Sequence, residues 1–410
     1  LERLGDYLFL GELALDGRLK PVKGILSSTV LAKRKGFKGI VIPKENEKEA
    51  ALVQNLDIYG MENLVQVVKL LRDADNISPC RYSLQELLPR PDYDVDFQEI
   101  RGQQHVKRAL EVAAAGSHNI LLIGPPGAGK TMLAHRLPTI LPPLTFDEII
   151  EVTQIFSVSG LLKGRGVVGE RPFRAPHHTI SDAGLIGGGL IPKPGEISLA
   201  HHGVLFLDEL SEFKRRVLEG LRQPVEEGKV TVSRASMSIT FPAFFMLVGA
   251  MNPFEDAYGG LSSSGFSWTD NQRSRYYSKI SGPLLDRIDI QAEVPRVEFR
   301  DIISKVEGES STEIRKRVIE ARERQLQRFK GKKIYCNSQM GTREVKKYCQ
   351  VDDQGKELLE MAVNRLGFSA RAYTRVLKVA LTIADLSNEE SISPVHVSEA
   401  IQYRMMDKYF

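Results

Sequence analysis

The residues Gly124-Pro125-Pro126-Gly127-Ala128-Gly129-Lys130-Thr131 have the types and spacing of a loop that cradles phosphates. Gly127 and Gly129 let backbone N–H groups turn toward phosphate oxygens, and a helix starting just after them adds the favourable end of its dipole. Lys130 supplies a point charge for the β and γ phosphates, and the Thr131 hydroxyl is suited to Mg²⁺. A glycine turn that binds nothing is the competing reading. It is disfavoured because the apolar run 119–123 supplies a strand before the loop and residues 132–136 a helix after it. The expected ligand is a nucleoside triphosphate, taken as ATP, with Mg²⁺. Further along, Gly203 opens an apolar run that ends in Asp208-Glu209. Asp208 at that strand tip can reach the metal, and Glu209 can polarise an attacking water. Two acids after an apolar run are a weak signal alone; behind a complete phosphate loop they read as the hydrolytic half of one site. A third apolar run ends in Asn252-Pro253. The Asn252 amide can hydrogen-bond the γ phosphate or orient the water, or serve only as turn chemistry.

Those side chains need a scaffold, and the chain has material for one. Its 410 residues suggest two or three domains, and 42% hydrophobic with 26% charged residues is ordinary globular composition. A disordered tail, a collagen-like repeat and a disulfide scaffold are excluded. The longest apolar run, 243–251, is far short of the ~20 residues that span a bilayer, and no basic, apolar leader opens the chain. The first residue is Leu1 rather than Met, which raises the expectation of a shortened N-terminus. Cys80, Cys336 and Cys349 lack metal-ligand spacing, and so few cysteines suit a reducing cytoplasm. The net charge of +4 permits a nucleic-acid partner without arguing for one.

Apolar patterning predicts short buried strands at 7–10 and 39–42 with a helix at 27–34 between them. Residues 72–96, rich in Pro and Asp, read as a linker with a short helix near 84–88. A helix at 103–115, the strand at 119–123, the glycine-rich loop and the next helix make the βα opening of a nucleotide-binding α/β domain. Strands at 204–207 and 244–250 follow. A charged helix at 314–327 then opens a mainly helical C-terminal region, and no internal repeat is present.

Longer strings carry a family resemblance: Arg171-Pro172-Phe173-Arg174-Ala175-Pro176-His177-His178, Gly187-Gly188-Gly189, the stretch from Pro192 to Ala200, and the stretch from Ser278 to Asp289. Through them the chain resembles the AAA+ ATPases of the magnesium-chelatase branch, and within it the ComM/YifB family of bacterial competence-related ATPases, over essentially its whole length. The resemblance implies an α/β fold with an AAA+ P-loop NTPase core at 97–295 carrying pore inserts, and an α-helical lid domain at 296–410. Before them it implies a partial Lon-protease-like (ribosomal S5-like) α/β domain at 1–72 and a linker at 73–96. It assigns Asn252 to the sensor 1 position, Arg287 to the arginine finger, and Arg371 in Ser369-Ala370-Arg371-Ala372 to the sensor 2 arginine of the lid. A finger acts in trans on the γ phosphate of the neighbouring subunit, which implies a head-to-tail ring; the resemblance makes that ring a homo-hexamer. Arg287 also reads as a plain salt-bridge arginine, and Arg371 shares a helix face with Arg375.

Two hairpin-like inserts are the expected mechanical parts. One, at 157–195, carries Lys163, Arg165, Arg171, Arg174 and Lys193 against Glu170, Asp182 and Glu196. The other, at 228–242, has Lys229 and Arg234 at its turns. A ring of such cations would hold a phosphate backbone without reading sequence, and solvated loop charge is the alternative. Glu313 to Lys347 holds twelve Lys or Arg against four Glu, either a nucleic-acid contact or solvated helix surface. His177-His178 and His201-His202 have no Cys or acidic pair at ligand spacing.

Two departures from the family pattern matter. Gly11-Glu12, the stretch from Asp16 to Val22 and the stretch from Ile42 to Asn46 look Lon-like, yet Leu26 stands where Lon-type peptidases carry the catalytic lysine. No Ser–Lys dyad forms within this chain, so peptidase activity is not expected. Many ComM-like proteins carry clustered cysteines after the sensor 1 asparagine; residues 254–277 have none, so no zinc is expected there. Trp268, Tyr276 and Tyr277 can stack on bases or lie partly buried. The resulting expectation is an ATPase ring motor acting on single-stranded or branched DNA, promoting helicase-like branch migration in homologous recombination and natural transformation, with no membrane partner. The alternative is a magnesium-chelatase-type remodelling subunit acting on a protein partner.

Overall fold

Three strands carry the loops singled out above and two more complete their sheet, numbered here in chain order: β1 (Ile120–Ile123), β2 (Phe173–Arg174), β3 (Val204–Leu207), β4 (Met246–Met251) and β5 (Ile290–Glu293). In the computed structural model, which describes residues 2–72, 77–88, 93–162, 164, 166–234, 237–254, 282–303 and 308–405, they form one sheet in the order β5-β1-β4-β3-β2. All neighbours are parallel, with Ile120 opposite Val248 on one side and Ile290 on the other. Strands β1 and β3 are apolar throughout because both faces of the sheet are covered. Ile120 and Leu122 point into a core shared with helices Gln104–Gly116 and Lys130–Ile140, whereas Leu121 and Ile123 join Leu205, Leu207 and Leu218 on the opposite face. A parallel sheet gathers its ligand loops at the C-terminal strand ends. Gly124 follows β1, Asp208 follows β3 and Asn252 follows β4.

Helices Ser311–Arg328, Asp353–Leu366, Ala370–Leu386 and Pro394–Gln402 pack on the first of these faces through residues such as Ile314, Val318, Val376 and Ala380. Their starts are chemically marked. Ser310 and Glu313 form a reciprocal capping box, and the Asp352 and Ser369 side chains accept from Gly355 and Ala372 N–H groups. Just before β5, Asp289 accepts from the Asn119 backbone N–H at 3.0 Å, lies 3.7 Å from the His118 ring and pairs with Arg375. Burial opposes ionisation of Asp289, but Arg375 and His118 more than offset this and hold its carboxyl well below the usual carboxylate range. Asp289→Asn is expected to destabilise the chain by about 3 kcal/mol, since it leaves Arg375 without its charge partner; chemical denaturation at neutral pH measures it. A depressed folded pKa contributes stability above the ordinary aspartate range and loses it only as pH falls through the depressed value. The wild-type advantage over Asp289→Asn should therefore persist at pH 5 and fade in strong acid.

Two compact units make up the chain: Leu1–Asp92 with Leu144–Arg171, and Tyr93–Pro143 with Pro172–Phe410. The sheet and helices above belong to the second. In the first, strands Tyr7–Phe9, Gly39–Pro43 and Asp57–Met61 form a parallel sheet, joined by helix Ile25–Lys35. Helix Phe146–Ser159, opened by a Thr145–Glu148 capping box, belongs to this unit because Ile149 and Val152 pack with Leu26, Leu52 and Leu87. The excursion of 144–171 out of the ATPase stretch has no counterpart in the sequence expectation. Leu26 is fully buried in that cluster.

The expected helices at 27–34, 103–115 and 314–327 run Ile25–Lys35, Gln104–Gly116 and Ser311–Arg328, and the strand at 204–207 stands as expected. The strand at 244–250 is shifted to Met246–Met251. Lys163, Arg165, the side chain of Arg234, and Trp268, Tyr276 and Tyr277 lie outside the described residues. Among the described residues, no helix is long and apolar enough to cross a membrane.

Candidate functional site

The phosphate loop leaves β1 at Gly124, whose N–H donates to Met251 O at the tip of β4. A Cβ on Gly124 would meet Val294 O at 2.1 Å, so only glycine fits that strand tip. Gly127 and Gly129 take the left-handed conformation, φ 78° and 91°, that aims backbone N–H groups into the loop, and the helix starts at Lys130. Lys130 Nζ donates to Gly124 O at 2.5 Å, Pro125 O at 2.9 Å and Asn252 Oδ1 at 3.0 Å. Its amine thus collects oxygen acceptors beside the loop, the chemistry it offers to phosphate oxygens. Thr131 Oγ1 donates to Asp208 Oδ2 at 2.7 Å, across 77 residues of sequence. Two hard oxygen donors therefore meet at the start of the helix, which fits Mg²⁺. Glu209 follows with φ 51°, its N–H donating to Asp208 Oδ1 at 2.9 Å and its carboxylate turned to solvent. Lys130, Thr131, Asp208, Glu209 and Asn252 are thus brought to one place, beside the loop of Gly124, Pro125, Pro126, Gly127, Ala128 and Gly129.

Two further residues belong to this site. Gln103 Nε2 donates to Ala128 O at 3.0 Å and Pro295 O at 2.7 Å, tying the loop to the chain after β5. A buried glutamine before a helix carries no sequence signal of that role. His178 Nδ1 lies 3.4 Å from Glu209 Oε2. The carboxylate that His178 faces lies 31 residues further along the sequence, so no local pattern pairs the two. His178→Ala is expected to lower kcat for ATP about tenfold with little change in KM, because the glutamate loses a group that orients it; steady-state turnover tests this.

The two arginines lie together at the other end of the sheet. Asn119, immediately before β1, donates from Nδ2 to Arg287 O at 3.0 Å, so the Arg287 backbone sits by the N-terminal strand ends, about 17 Å of strand from the loop. Its side chain is 4% exposed and its Nη2 lies 2.6 Å from Glu226 Oε1. Arg371, 61% exposed, reaches the same oxygen at 3.9 Å. Arg375 instead pairs with Asp289 and donates to Arg287 O at 3.1 Å. Hydrogen bonding from Arg287, then the charges of Arg287 and Arg371, hold the Glu226 carboxyl below its ordinary value.

Two of the cations expected on the first insert are committed to carboxylates. Arg171 grips Glu148 with two hydrogen bonds of 3.1 and 2.9 Å, and Arg174 grips Glu196 with two of 2.5 and 2.7 Å. Bidentate pairs of this kind orient the guanidinium inward and take it from a phosphate backbone. Beyond Arg174 the insert ends in a hairpin, Gly187–Gly188 with Lys193–Pro194, whose tip is apolar: Leu190 is 94% and Ile191 69% exposed. Four of the twelve cations in the basic stretch 313–347 are likewise committed. Arg317 pairs with Glu111, Arg322 donates to Ala114 and Ala115 carbonyls, Arg328 pairs with Asp385, and Lys332 with Glu344. The His201 ring accepts from the Phe244 N–H at 3.0 Å.

Residues 96–302 match the family model described as magnesium chelatase, subunit ChlI, and residues 308–404 the model of its C-terminal part. Residues 1–46 match a model described as subunit ChlI of Mg-chelatase. The chain is 43% identical over 406 residues to the competence protein ComM of Haemophilus influenzae, covering 98% of this chain and 78% of that one. It is 43% identical over 407 residues to the uncharacterized protein YifB of Salmonella typhimurium, covering 99% and 78%. Similarity to the magnesium-chelatase 38 kDa subunit of Cereibacter sphaeroides is 26% over 177 residues, covering 39% and 53%.

Proposed function

The chain belongs to the ComM/YifB family of magnesium-chelatase-type AAA+ proteins, which implies ATPase activity, and we propose that it is an ATP-driven hexameric ring motor acting on DNA during recombination and natural transformation. The observation that carries the hydrolytic part is the meeting of Thr131 with Asp208 and of Lys130 with Asn252. Bound MgATP supplies the phosphoryl group and the metal charge. Lys130 and the loop N–H groups bind phosphate oxygens, Thr131 and Asp208 offer oxygens to the metal, Glu209 takes a proton from water, and Asn252 orients that water or the γ phosphate. Arg287 lies far from its own loop, which supports a role in trans on a neighbouring subunit's γ phosphate, joined by Arg371. A relative named a competence protein, 43% identical across 98% of this chain, supports DNA as the substrate.

The second reading, a chelatase-type remodeller of a protein partner, is favoured by one specific feature. The described insert presents Leu190 and Ile191 at its tip and commits Arg171 and Arg174 to carboxylates. Apolar tips suit an extended polypeptide better than a phosphate backbone. A Lon-like peptidase is set aside because Leu26 offers no amine.

Steady-state ATP turnover without DNA, with single strands, with duplex and with a four-way junction separates the two, each at two salt concentrations beside Glu209→Gln. Stimulation by branched or single-stranded DNA that weakens with salt is the expected result. Turnover indifferent to every DNA would transfer the assignment to the remodeller.

A further inference from the structure

We infer that Glu226 is a positioning residue that clamps Arg287, with Arg371 close by, in the resting subunit and ties the release of Arg287 to the hairpin of residues 229–242. The inference deepens the reading above, since it rests on the trans role given to Arg287. Three observations carry it. First, the Arg287 guanidinium is buried and already engaged at 2.6 Å by Glu226 Oε1, and Arg371 lies 3.9 Å from the same oxygen. To present its full fork to a neighbour's γ phosphate the guanidinium has to give up the nitrogen now held by that carboxylate, so the finger exchanges one anion for another. The triphosphate carries more negative charge than a single half-exposed carboxylate, which favours the exchange only when a charged neighbour is present.

Second, Glu226 stands in the last turn of helix Arg222–Glu227, which ends at Gly228 with φ 63° and is followed directly by strand Lys229–Arg234. The Phe244 ring lies 2.5 Å from where a Gly228 Cβ would be, so this junction is held between the hairpin and the chain entering β4. Third, the hairpin has two chemically distinct faces. Val230 and Val232 are buried, whereas the other face carries exposed hydroxyl pairs, Thr231 with Thr240 at 2.9 Å and Ser233 with Ser238 at 3.0 Å. Hydroxyls are phosphate-positioning groups. A strand of nucleic acid lying on them pulls on a hairpin whose first residue is three positions from Glu226. The chain thus has a short covalent route from polymer contact to the carboxylate that holds Arg287 and lies beside Arg371.

The test uses the full chain assembled with ATP and compares Glu226→Gln, Glu226→Asp, Arg287→Ala and the Glu226→Gln/Arg287→Ala double variant. Turnover is read with and without a four-way junction, and thermal midpoints and assembly size are measured alongside. Glu226→Gln should raise DNA-free kcat about threefold, the scale of one partly exposed ion pair, with KM unchanged and the DNA stimulation ratio falling toward one. Glu226→Asp should restore wild-type behaviour, and the double variant should be as inactive as Arg287→Ala. Wild-type kcat and stimulation ratio in Glu226→Gln, or a lowered kcat with the ratio intact, overturns the clamp. Failure of the underlying reading looks different. Arg287→Ala that keeps its turnover removes the finger, and a wild type blind to DNA removes the DNA motor while DNA-free kcat still decides the role of Glu226.

Discussion

Glu209→Gln is expected to lose about 10²–10⁴-fold in ATP turnover, the range of a missing general base, while nucleotide affinity stays near wild type. The substitution keeps the size of the side chain and removes its capacity to take a proton. The groups that bind nucleotide are untouched, since Thr131 and Asp208 meet through their own oxygens and Lys130 is held by the loop and Asn252. The link from Glu209 to this cluster runs through its backbone N–H to Asp208 Oδ1, which a glutamine keeps. Phosphate release measures the turnover and a fluorescent ATP analogue the binding. Turnover within tenfold of wild type would show that another group activates the water. Lys130→Ala is the complementary case, expected to lose binding and turnover together, because it removes the amine that gathers the oxygen acceptors around the loop.

Why the nucleotide site could be read so far in advance follows from its local chemistry. A phosphate loop compresses its requirements into eight consecutive residues: glycines where φ must be positive, a lysine and a hydroxyl at the helix start. The strands β1 and β3 announce themselves because a sheet covered on both faces leaves no polar positions to blur the run. Strands β2 and β5 were not foreseen. Strand β2 has two residues, and β5 contains Gln291, so neither presents an apolar run. The position of 144–171 was illegible for a different reason. Which unit a helix joins depends on what its apolar face meets, and Ile149 and Val152 meet Leu26 and Leu52, far away in sequence. Charge was the least legible property. Counting cations in 157–195 gave a basic insert, yet Arg171 and Arg174 find Glu148 and Glu196 only once the chain is folded. Glu226 was missed for the same reason: a single glutamate in a helix is ordinary until two arginines are found on it.

Arg287→Ala is expected to lower turnover by at least about 10³-fold with ATP binding retained, the effect of removing a trans arginine from a phosphoryl-transfer site. The loss alone does not prove action across an interface, because Arg287 is buried and its removal leaves Glu226 without its close partner. Subunit mixing resolves this. Take two inactive proteins, Arg287→Ala with an intact Glu209, and Glu209→Gln with an intact Arg287. If the finger acts in trans, a ring containing both places a complete nucleotide site beside a complete finger at roughly a quarter of its interfaces in an equal, random mixture. Turnover should then rise on mixing well above the residual rate of either parent, and should peak near equal proportions. If Arg287 served its own loop or only supported the fold, no arrangement of the two subunits would unite the missing parts, and the mixture would stay inactive. Arg287→Lys adds a check on geometry. It keeps the charge but not the planar fork, so it should fold like wild type and still lose most turnover if the γ phosphate is met by a guanidinium rather than by charge alone.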